Sequence, residues 1–176
     1  MADTPARASL TIRRVDQSDA PALAALYRRA YQSAADDGFP SSMVDIEAET
    51  VSSWLERDAT TIIAETADDE PAGTVRLLEE RDVPYAERLA VHPDWQGQGV
   101  GSHLMDRLES IASEQGHDRI QLSTYTGHPF LLEWYRDRGY ERTGTQEITD
   151  RPYDMCSMEK SLEPARGGEE GVIGEQ

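Results

Sequence analysis

The chain has 176 residues, with 34 Asp and Glu against 17 Lys and Arg, a formal charge of −17. That length suits one domain with one core, and the charge argues against a nucleic-acid partner, because no basic patch exists to displace counterions from phosphates. No apolar run reaches the roughly 18–20 residues of a membrane span, the first twenty residues lack the apolar centre of a secretion signal, and the single cysteine, Cys156, rules out an intrachain disulfide; a cytoplasmic protein is expected.

Residues 1–8 (MADTPARA) read as a flexible arm and 163–176 (EPARGGEEGVIGEQ) as a disordered acidic tail, which leaves 9–162 as the domain. SLTIRRV (9–15) alternates Leu10 and Ile12 with cations, as a strand does. Asp19 is placed to cap a helix with Pro21 in its first turn and Leu23, Leu26 and Tyr27 on one side. A loop over 36–44 leads to a second helix expected at 45–57, with Asp45 as cap and Ile46, Val51, Trp54 and Leu55 apolar. TTIIAE (60–65) and GTVRLLEE (73–80) form a hairpin pattern around TADDEPA. In YAERLAV (85–91), strict alternation would send Tyr85, Glu87, Leu89 and Val91 to one face and Ala86, Arg88 and Ala90 to the other.

After a glycine-rich loop, Leu104, Met105, Leu108, Ile111 and Ala112 fall on one face of a helix that runs to about Gln115, with Gly116 as its stop. A strand at 119–126, a helix at 129–138 and strands at 139–144 and 153–159 follow. Strands and helices mixed in one domain imply an α/β or α+β fold with a mixed sheet. Only Lys160 among the 17 cations is lysine. An acidic, lysine-poor surface resembles that of halophilic proteins working in molar salt, where the Debye length falls to about 3 Å and like charges tolerate one another.

The chemistry concentrates in LAVHPDWQGQGVG (89–101). A strand ends at Val91, Pro93 blocks further pairing, and the glycines open a helix whose first amides have no partners. Such a loop either makes a tight strand–helix turn or cradles a pyrophosphate. A P-loop needs a lysine directly after the last glycine, and the chain's one lysine stands elsewhere. A dinucleotide fingerprint starts directly after its strand; here five residues intervene, its third glycine is Ser102, and QLSTYT holds no acid for a ribose.

The pattern Q-x-x-G-x-G after a strand ending V-x-P, followed some 35 residues later by FLLEWYRDRGY (130–140), resembles the GNAT superfamily of acyl-CoA-dependent N-acyltransferases. The resemblance implies a sheet splayed between the strands at 85–91 and 119–126, with acetyl-CoA as co-substrate in the gap. Backbone groups of Leu89, Ala90 and Val91 would pair with its pantetheine. Residues 97–102 (Gly97, Gln98, Gly99, Val100, Gly101 and Ser102), with Gln96, would hold the pyrophosphate. Gln96 and Gln98 stand where many members carry Arg or Lys, and His128 stands where many carry a cofactor-touching Asn.

Tyr135 matches the family's tyrosine, the general acid for the departing sulfur. Glu87, two residues before the cofactor segment, is the candidate base, with His128 behind it. An alkylammonium is under about 0.1% free base at pH 7, so the reaction needs one. His92, His103 and His117 lack metal-ligand spacing, and no metal is expected. Tyr31, Phe39, Trp54 and Tyr153 are candidate walls for a small-molecule or peptide amine, in a monomer or homodimer. The competing expectation is a coenzyme A-binding sensor or scaffold without catalysis.

Overall fold

A computed structural model describes residues 10–57, 59–128, 130–147 and 149–163; the expected N-terminal arm and all but the first residue of the expected tail lie outside them. The elements in order are β1 (Thr11–Arg14), α1 (Ala20–Asp36), α2 (Ala48–Leu55), β2 (Ala59–Glu65), β3 (Pro71–Leu78), β4 (Tyr85–Val91), α3 (Val100–Glu114), β5 (Arg119–Tyr125), α4 (Leu131–Asp137), β6 (Glu141–Gln146) and β7 (Met155–Ser161). The strands form one mixed sheet in the order β1-β2-β3-β4-β5-β7-β6. Every neighbouring pair is antiparallel except β4 and β5.

The middle of the sheet is buried on both faces, which explains why β2 and β3 carry runs of buried residues rather than alternation with polar positions, while the edge strands β1 and β6 are largely exposed. Ile62 packs with Val75, Leu77, Leu104, Leu108, Ile120 and Met158 on the face covered by α3 and α4. Its neighbour Ile63 packs with Leu23, Tyr27, Met43, Val51 and Ala90 on the face covered by α1 and α2.

Three expectations need correction. Asp19 sits at the N-cap position of α1 without capping it; its carboxylate accepts from Arg13 and from the Asp16 amide, each at 2.9 Å, closing a short 3-10 turn led by Asp16. The second helix starts at Ala48 rather than Asp45. Residues Ser42–Asp45 make a separate 3-10 turn capped by Ser41, and Ile46 is extended, so Glu47 stands at the cap. The strict alternation of β4 fails. Arg88 has φ +56°, the β3–β4 register shifts between Thr74 and Arg76, and two β4 residues face Val75 alone. Thr74 pairs with Ala90 and Arg76 with Glu87, so Glu87 joins Ala90 on the α1/α2 face while Ala86, Leu89 and Val91 pack toward α3.

Candidate active site

β4 and β5 touch at one end only. The ladder has a single parallel bridge, Tyr85 to Gln121, with the Gln121 amide donating to the Pro84 carbonyl at 3.0 Å and the Tyr85 hydroxyl donating to Ser123 Oγ at 2.8 Å. From there the strands separate. Leu89, Ala90 and Val91 are held by β3 on one side, through the Thr74–Ala90 and Gly73–Val91 pairs, and their other edge faces the gap. An unpaired strand edge inside a sheet is a template for one more extended chain.

The glycine loop closes one end of that gap. Gly97 and Gly99 have φ +78° and +87°, conformations costly for any residue with a Cβ. Gly99 is the N-cap of α3, and the first intrahelical bond runs from the His103 amide to the Gly99 carbonyl. The amides of Val100, Gly101 and Ser102 are therefore the free donors of the helix start. Gln96 and Gln98 turn inward: their Nε2 groups donate to the Val91 and Asp94 carbonyls at 3.3 and 3.2 Å, pinning the loop's shape. A Cβ on Gly101 would lie 3.6 Å from the Trp134 ring, so the loop rests directly on α4.

α4 carries Tyr135, only 6% exposed, its ring edge-on to Trp134 and Tyr140. Burial pushes the Tyr135 phenol above the ordinary tyrosine range; Arg138 opposes the shift, and Glu109, Tyr125 and Tyr85 add to it. His128 Nδ1 accepts from the Phe130 and Leu131 amides, both at 3.3 Å, and so caps this helix. Burial lowers its imidazole below the ordinary value, against a smaller opposing effect of Asp37. With Nδ1 taken up by two amides, the neutral ring carries its proton on Nε2. On the opposite face, Glu87 Oε2 accepts from Arg76 Nη1 at 2.9 Å and lies 3.4 Å from Arg88 Nε.

Residues 20–140 match the model of the Acetyltransferase (GNAT) family. The chain belongs to that family. It is an acetyl-CoA-dependent N-acetyltransferase. A peptidyl-lysine N-acetyltransferase of Salmonella typhimurium is 26% identical over 151 residues, covering 85% of this chain and 97% of its own. An S-(2-succino)cysteine N-acetyltransferase of Bacillus subtilis is 34% identical over 68 residues, 38% of this chain and 41% of its own. A Salmonella typhimurium acetyltransferase solved with acetyl-CoA superposes with a TM-score of 0.72 at 19% identity, over 88% of this chain and 95% of that one.

The acetyltransferase also brings Tyr125, which the sequence did not single out, together with two of the expected wall residues. Phe39, from the turn after α1, stacks on Tyr125 at the end of β5 with centroids 4.7 Å apart. Tyr153, before β7, meets Tyr125 edge-on at 4.9 Å and donates its hydroxyl to the Pro40 carbonyl at 2.8 Å. Of the four expected wall residues, Phe39 and Tyr153 thus share one cluster. Tyr31 and Trp54 instead pack around Tyr27, at 6.3 and 6.0 Å. Arg76 was missed altogether. Its signal was a cation in the middle of the apolar run GTVRLL, a place where a buried charge needs a reason. Among the described residues, no group of three or more His, Cys, Asp and Glu side chains is disposed to hold a metal, and no helix is long and apolar enough to cross a membrane.

Proposed function

We propose that the enzyme moves an acetyl group from acetyl-CoA to a primary amine of a small molecule or peptide by direct attack, with Tyr135 as general acid and Glu87 as base. The observation that carries this reading is the splay: one gap is bordered by the free edge of Leu89, Ala90 and Val91, and the loop donors of Val100, Gly101 and Ser102 and the helix bearing Tyr135 adjoin through Gly101 and Trp134. In this reading the β4 edge binds the pantetheine as an added strand, and the loop amides, with Gly97 and Gly99 giving the backbone its close approach, bind the pyrophosphate. Loop donors matter more in a chain of charge −17, which repels a polyanion at long range.

The amine nitrogen forms the C–N bond as the C–S bond breaks. Before the attack Glu87 takes one proton from the bound ammonium and frees the nitrogen lone pair. As the C–S bond breaks the departing sulfur takes a proton from the Tyr135 hydroxyl, and the second proton, shed by the nitrogen once it is acylated, restores that hydroxyl. Burial suits Tyr135 to this part, because a phenol with a raised pKa stays protonated across the working range and offers its proton only to a group charging beside it. Glu87 has Oε2 engaged by Arg76, which leaves Oε1 for the incoming proton, directly or through water. His128 holds the start of α4 and so positions Tyr135 rather than acting as base. The amines named for the relatives, a peptidyl lysine and S-(2-succino)cysteine, cover both peptides and small molecules.

The test is release of free thiol from acetyl-CoA across an amine panel in high potassium chloride, with Glu87→Gln beside wild type. Amine-dependent release that Glu87→Gln slows by at least about tenfold supports the assignment. Equal rates in the two proteins remove Glu87 as base, and no release with any amine removes the proposed acceptor class.

A further inference from the structure

On the α1/α2 face, where the bulge has turned Glu87 and Arg88, lies a cavity of about 200 Å³ lined by Trp54, Arg57, Arg76, Leu78, Glu80, Glu87 and Arg88. Three guanidiniums face two carboxylates there, a local positive excess in a chain that carries two acids for every base. The arginines are under-used. Arg76 is 4% exposed and its Nε has no hydrogen-bond partner among the described residues; Arg88 Nε is likewise buried without an aligned acceptor. Glu87 Oε2 serves both of them, and the other recorded bonds, Arg76 Nη2 to the Trp54 carbonyl at 3.4 Å and Arg88 Nη1 to Met43 Sδ at 3.4 Å, are long. Both guanidiniums lie over the Trp54 ring, at 5.3 and 4.4 Å from its centroid, which fixes their planes. A buried arginine with spare donors costs stability unless an anion completes it.

We propose that this cavity binds a carboxylate of the acceptor, so that the amine acetylated belongs to an amino-acid-like molecule. The inference rests on the acetyltransferase reading and narrows its acceptor. Guanidinium geometry suits a two-oxygen planar acceptor. The placement suits it too: Arg88 directly precedes Leu89, the first residue of the free β4 edge. A carboxylate anchored at Arg76 and Arg88 thus leaves its amine beside the free edge of β4.

The experiment compares α- and ω-amino acids with their carboxamides as acceptors at saturating acetyl-CoA, in wild type and in Arg57→Gln, whose exposed side chain reaches the cavity from the end of α2. In the α-amino series the carboxamide has the less basic amine and therefore more free base, so a preference for the acid runs against intrinsic reactivity. The expected result is a kcat/KM at least about tenfold higher for the acid, falling several-fold in Arg57→Gln through KM alone, with the carboxamide unaffected. Acid and carboxamide turned over within about twofold of one another, or an equal loss for both in Arg57→Gln, overturns the proposal. If acetyl-CoA binds but no amine reacts, the parent reading of the acceptor fails. The cavity is then judged by calorimetry with N-acetyl-amino acids against their carboxamides, where heat without preference for the acid overturns it separately.

Discussion

Replacing Gly99 by alanine separates the shape of the glycine loop from its chemistry. Gly99 stands at φ +87° and ψ 5°, at the N-cap of α3, and a side chain held in the left-handed region costs about 1–2 kcal/mol. The variant meets that cost in the free protein by letting the loop relax, which swings the Val100, Gly101 and Ser102 amides off their common direction. Binding must then restore it, so the dissociation constant for acetyl-CoA should rise by about 5–30-fold at 1.4 kcal/mol per tenfold. Gly101→Ala is the control. Its backbone is not in the left-handed region and its Cβ would meet Trp134 at an ordinary 3.6 Å, pointing into the protein rather than toward a ligand, so affinity should stay within about twofold. Gly101→Val is the harsher case, because its γ-methyls enter the space of Trp134 and Val91, and it should lose more than about tenfold. Calorimetric titration with acetyl-CoA, paired with thermal melts to show that each variant is folded, reads all three. An unchanged dissociation constant in folded Gly99→Ala would refute the reasoning.

Between low and molar potassium chloride the melting midpoint should climb as screening relieves repulsion among the excess carboxylates, and a flat or falling midpoint removes the salt inference. Glu109→Gln should lower the midpoint by about 6–12 °C, equivalent to about 3 kcal/mol, because the buried carboxylate accepts from Tyr140 at 2.8 Å, Lys160 at 2.8 Å and Arg138 at 3.2 Å; a shift under about 2 °C would show the network to be dispensable. His128 has a lowered pKa when folded, so the unfolded chain takes up its proton first: stability contributed by the neutral ring is intact above the ordinary value of 6.5 and is lost as pH falls below it toward the folded value. His128→Asn keeps an acceptor for the Phe130 and Leu131 amides without titrating, so its midpoint should fall less than that of wild type from neutral to mildly acidic pH; parallel curves would assign the loss to other groups.

Much of this enzyme was legible because its informative features are local. The splay is implied by the family resemblance that V-x-P, the glycine loop and FLLEWYRDRGY carry, and the buried β2 and β3 announce themselves as short apolar runs between turn residues. The helix α3 runs to Glu114 and is stopped by Gly116, φ +95°, where the periodic apolar face gives out. What escaped depends on one backbone angle and on long-range contacts. No pattern in YAERLAV signals that Arg88 adopts φ +56°, yet that angle moves Glu87 to the face opposite Leu89 and Val91 and sets it against Arg76. Asp45 and Asp19 both looked like helix caps. Asp16 and Ser41 instead cap short 3-10 turns that take up Asp19 and Asp45, a competition between neighbouring caps that spacing does not decide. Gln96 and Gln98 read as weak stand-ins for cations and turned out to bond the loop's own carbonyls. The meeting of Phe39, Tyr125 and Tyr153 joins residues up to 114 positions apart, beyond any local rule.

The most direct test of the account is Tyr135→Phe in a single-turnover assay with a responsive amine. The change keeps the ring's packing against Trp134 and Tyr140 and removes only the proton donor. Single turnover exposes the chemical step even where product release limits steady-state rates. The account predicts unchanged affinity for acetyl-CoA and a chemical step slower by about 10²–10⁴-fold, the range for a positioned acid. A Tyr135→Phe enzyme that turns over within about threefold of wild type would contradict it, and water rather than Tyr135 would then protonate the departing sulfur.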